Sequence, residues 1–561
     1  MPSAAARLLL ASAAVLALWL GAAWLIEMLW IKGQTLPYAL FARQDMPALL
    51  LGITGLGVVA AVLWRERGVS VGPTNWVLQG RIVGALIALF ALAAWVGRYA
   101  LFGDYALSRD EQVAEFGSTT LRDGLIGRPI PAEWIDYRRA IMPEFFSPFG
   151  ADHVWASAYL PVNSGFRALC AWMGDANLAG PLLLVIGLVA LWKVALQLFP
   201  GRNDAVAVTM ILTLTSAQLL VTGMTPYAMT GHFSLNMLWL ALVLRDDRRG
   251  HIGAALVALL LGGMHQWHFP LLFLAPFLLW FALQRRWGVL AFHTLVLVVI
   301  VGVWAKLWPA FLLHHLGQPA DVMPAAGVAD KLGSLMARLE KWRPLLHVAR
   351  FMAWNHVLLV PLAIVGMAMI RWREALRGQT VMLPLALGGL AVTVLAIDQG
   401  YGWGYRYLHG YIGSFALLAG YGWTRLRQVS LRPVYAATLV TLMMASFLAL
   451  RAHDYVRPYQ QSHAMIMASK ADVVLVDPRG GRFVTDVVRG RDGDPLGRPI
   501  VMNIGMLKRA SLDRLCDRYS IAVFDRRNFL PLGVGVVNWG SPHIAALRAH
   551  MAERDCGRPI S

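Results

Sequence analysis

Stretches of about 20 apolar residues, each long enough to cross a hydrocarbon core of about 30 Å, recur from Leu8 to Leu450. Nothing else in the sequence limits its fold as strongly. By that length criterion there are about 13 of them, in a chain of 561 residues that is 58% hydrophobic and 15% charged. Such a composition implies lipid rather than water as the main solvent. The first stretch, Leu8 to Trp30, is longer than the apolar core of a cleavable signal and lacks a clean small-residue cleavage site, so a retained span is expected.

The formal charge of +18 lies in short clusters between spans, not in one patch with interleaved aromatics, which argues against nucleic acid. With the N-terminus in the cytoplasm, the inner loops are Arg65–Arg81, Arg202, Arg245–Arg249, Arg285–Arg286, Arg371–Arg377 and Arg425–Arg432. All are short and basic, as the positive-inside rule requires. An odd number of spans then places the tail outside. The expectation is an all-α polytopic membrane protein, residues 1–450, with large outer loops at about 103–177 and 308–353. Residues 451–561 would form a small soluble α/β domain on the outer, periplasmic side of a bacterial inner membrane. There, short apolar runs at Val473–Val476, Ile500–Met502 and Ile521–Phe524 alternate with amphipathic stretches at Leu507–Tyr519 and His543–Glu553. No glycine-rich phosphate fingerprint follows a strand, so docking or scaffolding suits this domain better than nucleotide binding. Of three cysteines, Cys516 and Cys556 share the tail and could pair in an oxidising compartment.

The candidate chemistry sits in the outer segments. Ser108-Arg109-Asp110-Glu111 opens an amphipathic helix in the first large loop. Ser108 and Glu111 have capping-box spacing, and Asp110 suits the first turn of a helix dipole. Capping explains Glu111 as well as catalysis does. A carboxylate at the membrane lip could also take a proton from a substrate hydroxyl. Farther on, Gly402-Trp403-Gly404-Tyr405-Arg406-Tyr407-Leu408 forms an aromatic turn. Arg406 offers a planar fork to phosphate, and an ordinary snorkelling arginine would look the same. His409 follows by three residues. His265 and His268 flank an outer hairpin and would share a face if helical, and His232 maps to another outer turn. Interfacial hydrogen bonding accounts for any one of these histidines, and a metal site would need further ligands. Glu144, Asp152 and His153 are weaker polar candidates. No Ser-His-Asp order, Walker loop or Cys-x-x-Cys pair stands in a context that makes a nucleophile or nucleotide site.

Asp110-Glu111 followed by Ala114, Leu121 and Gly124 resembles the acidic-loop motif of GT-C integral-membrane glycosyltransferases, and the 402–408 segment is similar to a late-loop stretch of bacterial members. Where the family has a proline-rich stretch and a tyrosine before the next span, this chain has Ala158-Tyr159-Leu160-Pro161. The resemblance implies transfer of a sugar from a polyprenyl-phosphate donor to an envelope lipid, glycan or protein acceptor. It casts Asp110 as general base with Glu111 beside it. Independently of the resemblance, the residues make Arg406, with Trp403, Tyr405, His409, His232, His265 and His268, the candidate donor-phosphate and substrate side. A divalent metal is compatible with the family but not indicated by the residues. The alternative is a lipid or glycan transporter or flippase. A transporter concentrates ionisable groups near the bilayer midplane. In this chain the span middles read as nearly charge-free, Lys193 and Lys306 standing near span ends, which favours the enzyme.

Overall fold

A computed structural model of the chain describes residues 2–31, 36–65, 74–141, 146–150, 153–318, 343–395, 399, 401–426, 430–537 and 540–559. It is 73% helical. Six described helices are long and apolar enough to cross a membrane: Ala4–Leu29, Tyr38–Val62, Gly80–Ala100, Ala176–Leu198, Trp287–Leu316 and Arg432–Met467. A seventh candidate is the pair Asn203–Leu214 and Ala217–Gly223, bent by 48°. The bend falls where Ser216 leaves the helical conformation and its side chain accepts from Leu219 N, restarting the helix.

Four further apolar helices, among them Leu359–Ala368 and Met382–Val394, are shorter. At 10 and 13 residues these two rise only about 15 and 20 Å, less than the full spans that the apolar stretches suggested. The expected loop at 308–353 is helical at both described ends. Trp308 to Leu316 continues the apolar helix Trp287–Leu316, with a π-helical turn at Val303–Leu307 just before Pro309. Arg343–Ala353 is a helix as well.

The chain divides into two compact units. The first comprises Met1–Gly97, Leu178–Lys306 and Pro324–Arg451. Its helices pack closely through glycine: a Cβ on Gly366 would lie 2.1 Å from Leu418 O, and one on Gly422 2.3 Å from Leu362 O. Small residues at such crossings let backbones approach where lipid gives no hydrophobic drive.

The second unit comprises Arg98–Asn177, Leu307–Met323 and Ala452–Ser561. The first large loop supplies the helix Arg109–Arg122 and a three-stranded antiparallel sheet of order β1-β3-β2, with β1 Arg128–Pro129, β2 Phe146–Phe149 and β3 Val154–Ser157. The tail supplies β4 Val473–Val476, β5 Ile500–Asn503, β6 Ile521–Phe524 and β7 Arg558–Pro559, all pairing in parallel in the order β5-β4-β6-β7. The amphipathic stretches are the helices Arg509–Arg518 and Pro542–Glu553. The tail is therefore α/β in content, as its alternating pattern suggested, and it shares one hydrophobic core with the loop. Val113, Phe116, Trp134 and Trp155 pack in the same cluster as Val473, Leu475, Met502, Leu512 and Leu547. Cys516 and Cys556 form a disulfide.

Candidate active site

In the second unit the helix bearing Asp110 starts on a complete capping box. Ser108 Oγ accepts from Glu111 N at 3.3 Å, and Glu111 Oε2 accepts from Ser108 N at 2.8 Å. Glu111 is buried, and burial pushes its carboxyl up to about 7 against the pull of the Ser108 N–H and the Arg98 charge. Arg98, also buried, holds the approach to the cap: it reaches Asp104 at 2.9 Å, Glu115 at 3.0 Å and Tyr105 O at 3.1 Å. On the other side Arg109 binds Asp486 at 2.7 Å and Gln112 donates to Asp486 O at 2.7 Å, so tail residues fix the first turn.

Asp110 is half-buried and accepts a hydrogen bond from the Tyr159 hydroxyl. Tyr159 belongs to the short stretch that departs from the family pattern. With Phe116, Gly117, Leu121 and Leu312 it also lines a cavity of about 30 Å³. The carboxylate is thus oriented by a phenol whose ring lines an apolar cavity. Tyr159 carries no periodic or spacing signal that links it to a residue 49 positions earlier.

In the first unit the late-loop turn is held from three sides. Arg350 donates to Gly402 O at 3.0 Å, Gln399 donates to Gly404 O at 2.7 Å and accepts from Arg406 N at 2.8 Å, and Gln218 donates to Tyr405 O at 2.8 Å. Gly404 has φ +69°, and a Cβ there would meet Gln218 Oε1 at 2.6 Å, so the turn requires glycine. Arg350 is itself paired with Asp45 at 2.7 Å, both fully buried, and Trp354 Nε1 donates to Asp45 at 2.5 Å. Asp45 lies in the span Tyr38–Val62, seven residues from its start and outside its middle. An acid inside an apolar stretch was itself the available signal.

Arg406 is 7% exposed, with its guanidinium over the rings of Tyr227 at 5.2 Å and Tyr407 at 5.3 Å. Trp403 and Tyr405 are buried, their rings against Trp354 and His347. Tyr407 is half-buried and stacks on Phe269, which is also in ring contact with His232, His265 and His268. The structure thus gathers three expected histidines near the Arg406 turn, through one phenylalanine. His265 precedes the helix that begins at His268, so the condition for a shared helix face is not met. His409 is buried edge-on to Phe233. A cavity of about 20 Å³ between His232, Asn236, Phe269 and Tyr407 has room for one water. Among the described residues no group of three or more His, Cys, Asp or Glu side chains is arranged to hold a metal ion. His153 is exposed on a turn, its Nδ1 2.9 Å from Gly150 O; Glu144 and Asp152 lie outside the described residues.

No protein-family model matches the chain, and no curated protein matches it. Among solved structures, ArnT from Cupriavidus metallidurans in the apo state is 11% identical over 72% of this chain and 83% of its own, with a TM-score of 0.45. ArnT bound to undecaprenyl phosphate is 14% identical over 74% of this chain and 87% of its own, with a TM-score of 0.44. Arabinofuranosyltransferase AftD from Mycobacteria is 15% identical over 71% of this chain and 32% of its own, with a TM-score of 0.35. The chain is similar in outline to these GT-C membrane glycosyltransferases, at TM-scores too low for any residue here to take a role from them.

Proposed function

We propose that this multi-pass membrane protein is a glycosyltransferase that moves a sugar from a polyprenyl-phosphate donor to a lipid, glycan or protein acceptor on the outer face of a bacterial inner membrane. The observation that carries the reading is the division of labour between two adjacent carboxylates. Glu111 is buried in the capping box, while Asp110 is half-buried and held by a hydrogen bond from Tyr159. Asp110 takes the proton of the acceptor hydroxyl as that oxygen attacks the anomeric carbon. The bond from that carbon to the phosphate oxygen breaks, and polyprenyl phosphate leaves with the electron pair. Separately, in the first unit, Arg406 is the candidate for holding a donor phosphate, with Tyr407 beside it and Trp403 and Tyr405 propping the turn from within. The short basic loops and the Cys516–Cys556 disulfide both favour an outward-facing tail.

The test is to incubate the purified protein with labelled polyprenyl-phosphate sugars and measure release of polyprenyl phosphate. Asp110→Asn keeps size but cannot take a proton, and should cut transfer by about 10² to 10⁴-fold with folding intact. Near-normal turnover in this variant removes Asp110 from the chemistry. Movement of intact lipid-linked sugar between leaflets with no release would favour the flippase reading.

A further inference from the structure

In the parallel sheet of the second unit the chain leaves β4 toward β5 on one side and returns for β6 on the other. Parallel sheets open a crevice outside the carboxyl ends of their strands at such a reversal. Here Asp477 directly follows β4 and Asp525 directly follows β6, and both aspartates line a cavity of about 610 Å³, within the range of about 300 to 1,000 Å³ typical of small-ligand sites. Its other charged walls are Arg479, Arg526, Arg527 and Arg548, four arginines against two aspartates.

The pairing inside the cavity decides what it can hold. Arg479 grips Asp477 with Nε at 3.0 Å and Nη2 at 2.7 Å, and Arg548 reaches Asp525 at 3.0 Å. Those pairs balance both acids, and the exposed Arg526 and Arg527 remain as net positive charge. The strand end after β4 leads into a three-residue turn, Pro478–Gly480, so no long helix aims backbone N–H groups at a diphosphate. Recognition falls to side chains: guanidinium forks for an oxyanion, and, for hydroxyls, the lone pairs left on Asp477 Oδ2 and on the Asp525 carboxylate. A hydroxyl-rich ligand with one acidic group satisfies both sets.

We infer that this cavity binds an anionic saccharide, a sugar bearing phosphate or carboxylate, through Arg526, Arg527 and the aspartates that follow β4 and β6. The inference stands on the cavity alone and does not depend on the transfer proposed above, because its test reads binding rather than turnover.

The full-length protein in neutral-lipid nanodiscs is titrated calorimetrically with glucose 1-phosphate, glucose and inorganic phosphate. Glucose 1-phosphate should bind saturably, at least about ten-fold tighter than either fragment, because each fragment meets only one set of groups. The exposed pair Arg526→Glu with Arg527→Glu should weaken it at least about ten-fold, and Arg526→Gln with Arg527→Gln should weaken it less, since the charge is lost and not reversed. Absent saturable binding, or unchanged affinity in both double variants, overturns the site. Equal binding of inorganic phosphate overturns the saccharide. Nanodiscs containing phosphatidylglycerol provide the last arm: loss of sugar-phosphate binding there assigns the cavity to a lipid headgroup and overturns the saccharide as its ligand.

Discussion

Glu111 and Asp110 are covalent neighbours with opposite surroundings, and pH separates them. Burial holds the Glu111 carboxyl at about 7, above its ordinary 4.5. The unfolded chain therefore gives up this proton first as pH rises, so stability falls from about pH 4.5 to about 7 and is level above. The gap corresponds to roughly 3 kcal/mol. Amides of the helix Arg109–Arg122 should lose up to about a hundred-fold in protection between pH 5 and pH 8 after correction for intrinsic exchange. Glu111→Gln keeps an acceptor for Ser108 N–H and has no proton to lose, so its protection should stay level. A parent protein with equal protection at both pH values would contradict the buried acid. Arg406 answers to a different measurement. Losing a charge-assisted phosphate contact costs about 1.5 to 3 kcal/mol, so Arg406→Ala should lower donor affinity or rate roughly ten- to a hundred-fold. Arg406→Lys, which keeps the charge and loses the fork, should fall between. If both variants bind a donor analogue like the parent and turn over normally, Arg406 only anchors the turn.

Among the elements, the 402–406 turn depends on a side chain that makes no contact with solvent. Arg350 holds Gly402 O and pairs with Asp45 in full burial. Truncation leaves an unpaired buried carboxylate, so Arg350→Ala should destabilise the first unit by about 3 to 5 kcal/mol, read as lowered thermal unfolding in detergent. Adding Asp45→Asn should recover part of that loss, because the uncompensated charge is gone; no recovery would mean the pair is not the origin. Elements of this kind differ in how well the sequence reveals them. The capping box is legible because Ser108 and Glu111 stand at a fixed local spacing, and the tail strands because apolar runs of three or four residues alternate with amphipathic stretches. The Asp45–Arg350 pair joins positions 305 apart, and no periodicity records such a distance. His265 and His268 suit a helical spacing, yet the helix begins only at His268. Likewise, apolar composition marks Leu359–Ala368 without revealing that the helix is too short to span.

At the scale of the whole chain, the second unit draws its hydrophobic core from segments far apart in sequence. Val113, Phe116, Trp134 and Trp155 have no complete core until Val473, Met502, Leu512 and Leu547 join them. Removing residues 470–561 should therefore expose the segment 109–157 to protease in isolated membranes while the parent resists; equal resistance would show that the loop folds alone. Synthesis proceeds from the N-terminus, so the segment carrying Asp110 leaves the ribosome with more than 350 residues still to be made before β4 appears at Val473. Through that interval Arg109 and Gln112 lack Asp486, and the first turn of the Asp110 helix is without its outer brace. The candidate base is completed only when the end of the chain arrives, so a stalled or clipped nascent chain would be membrane-inserted and yet inert.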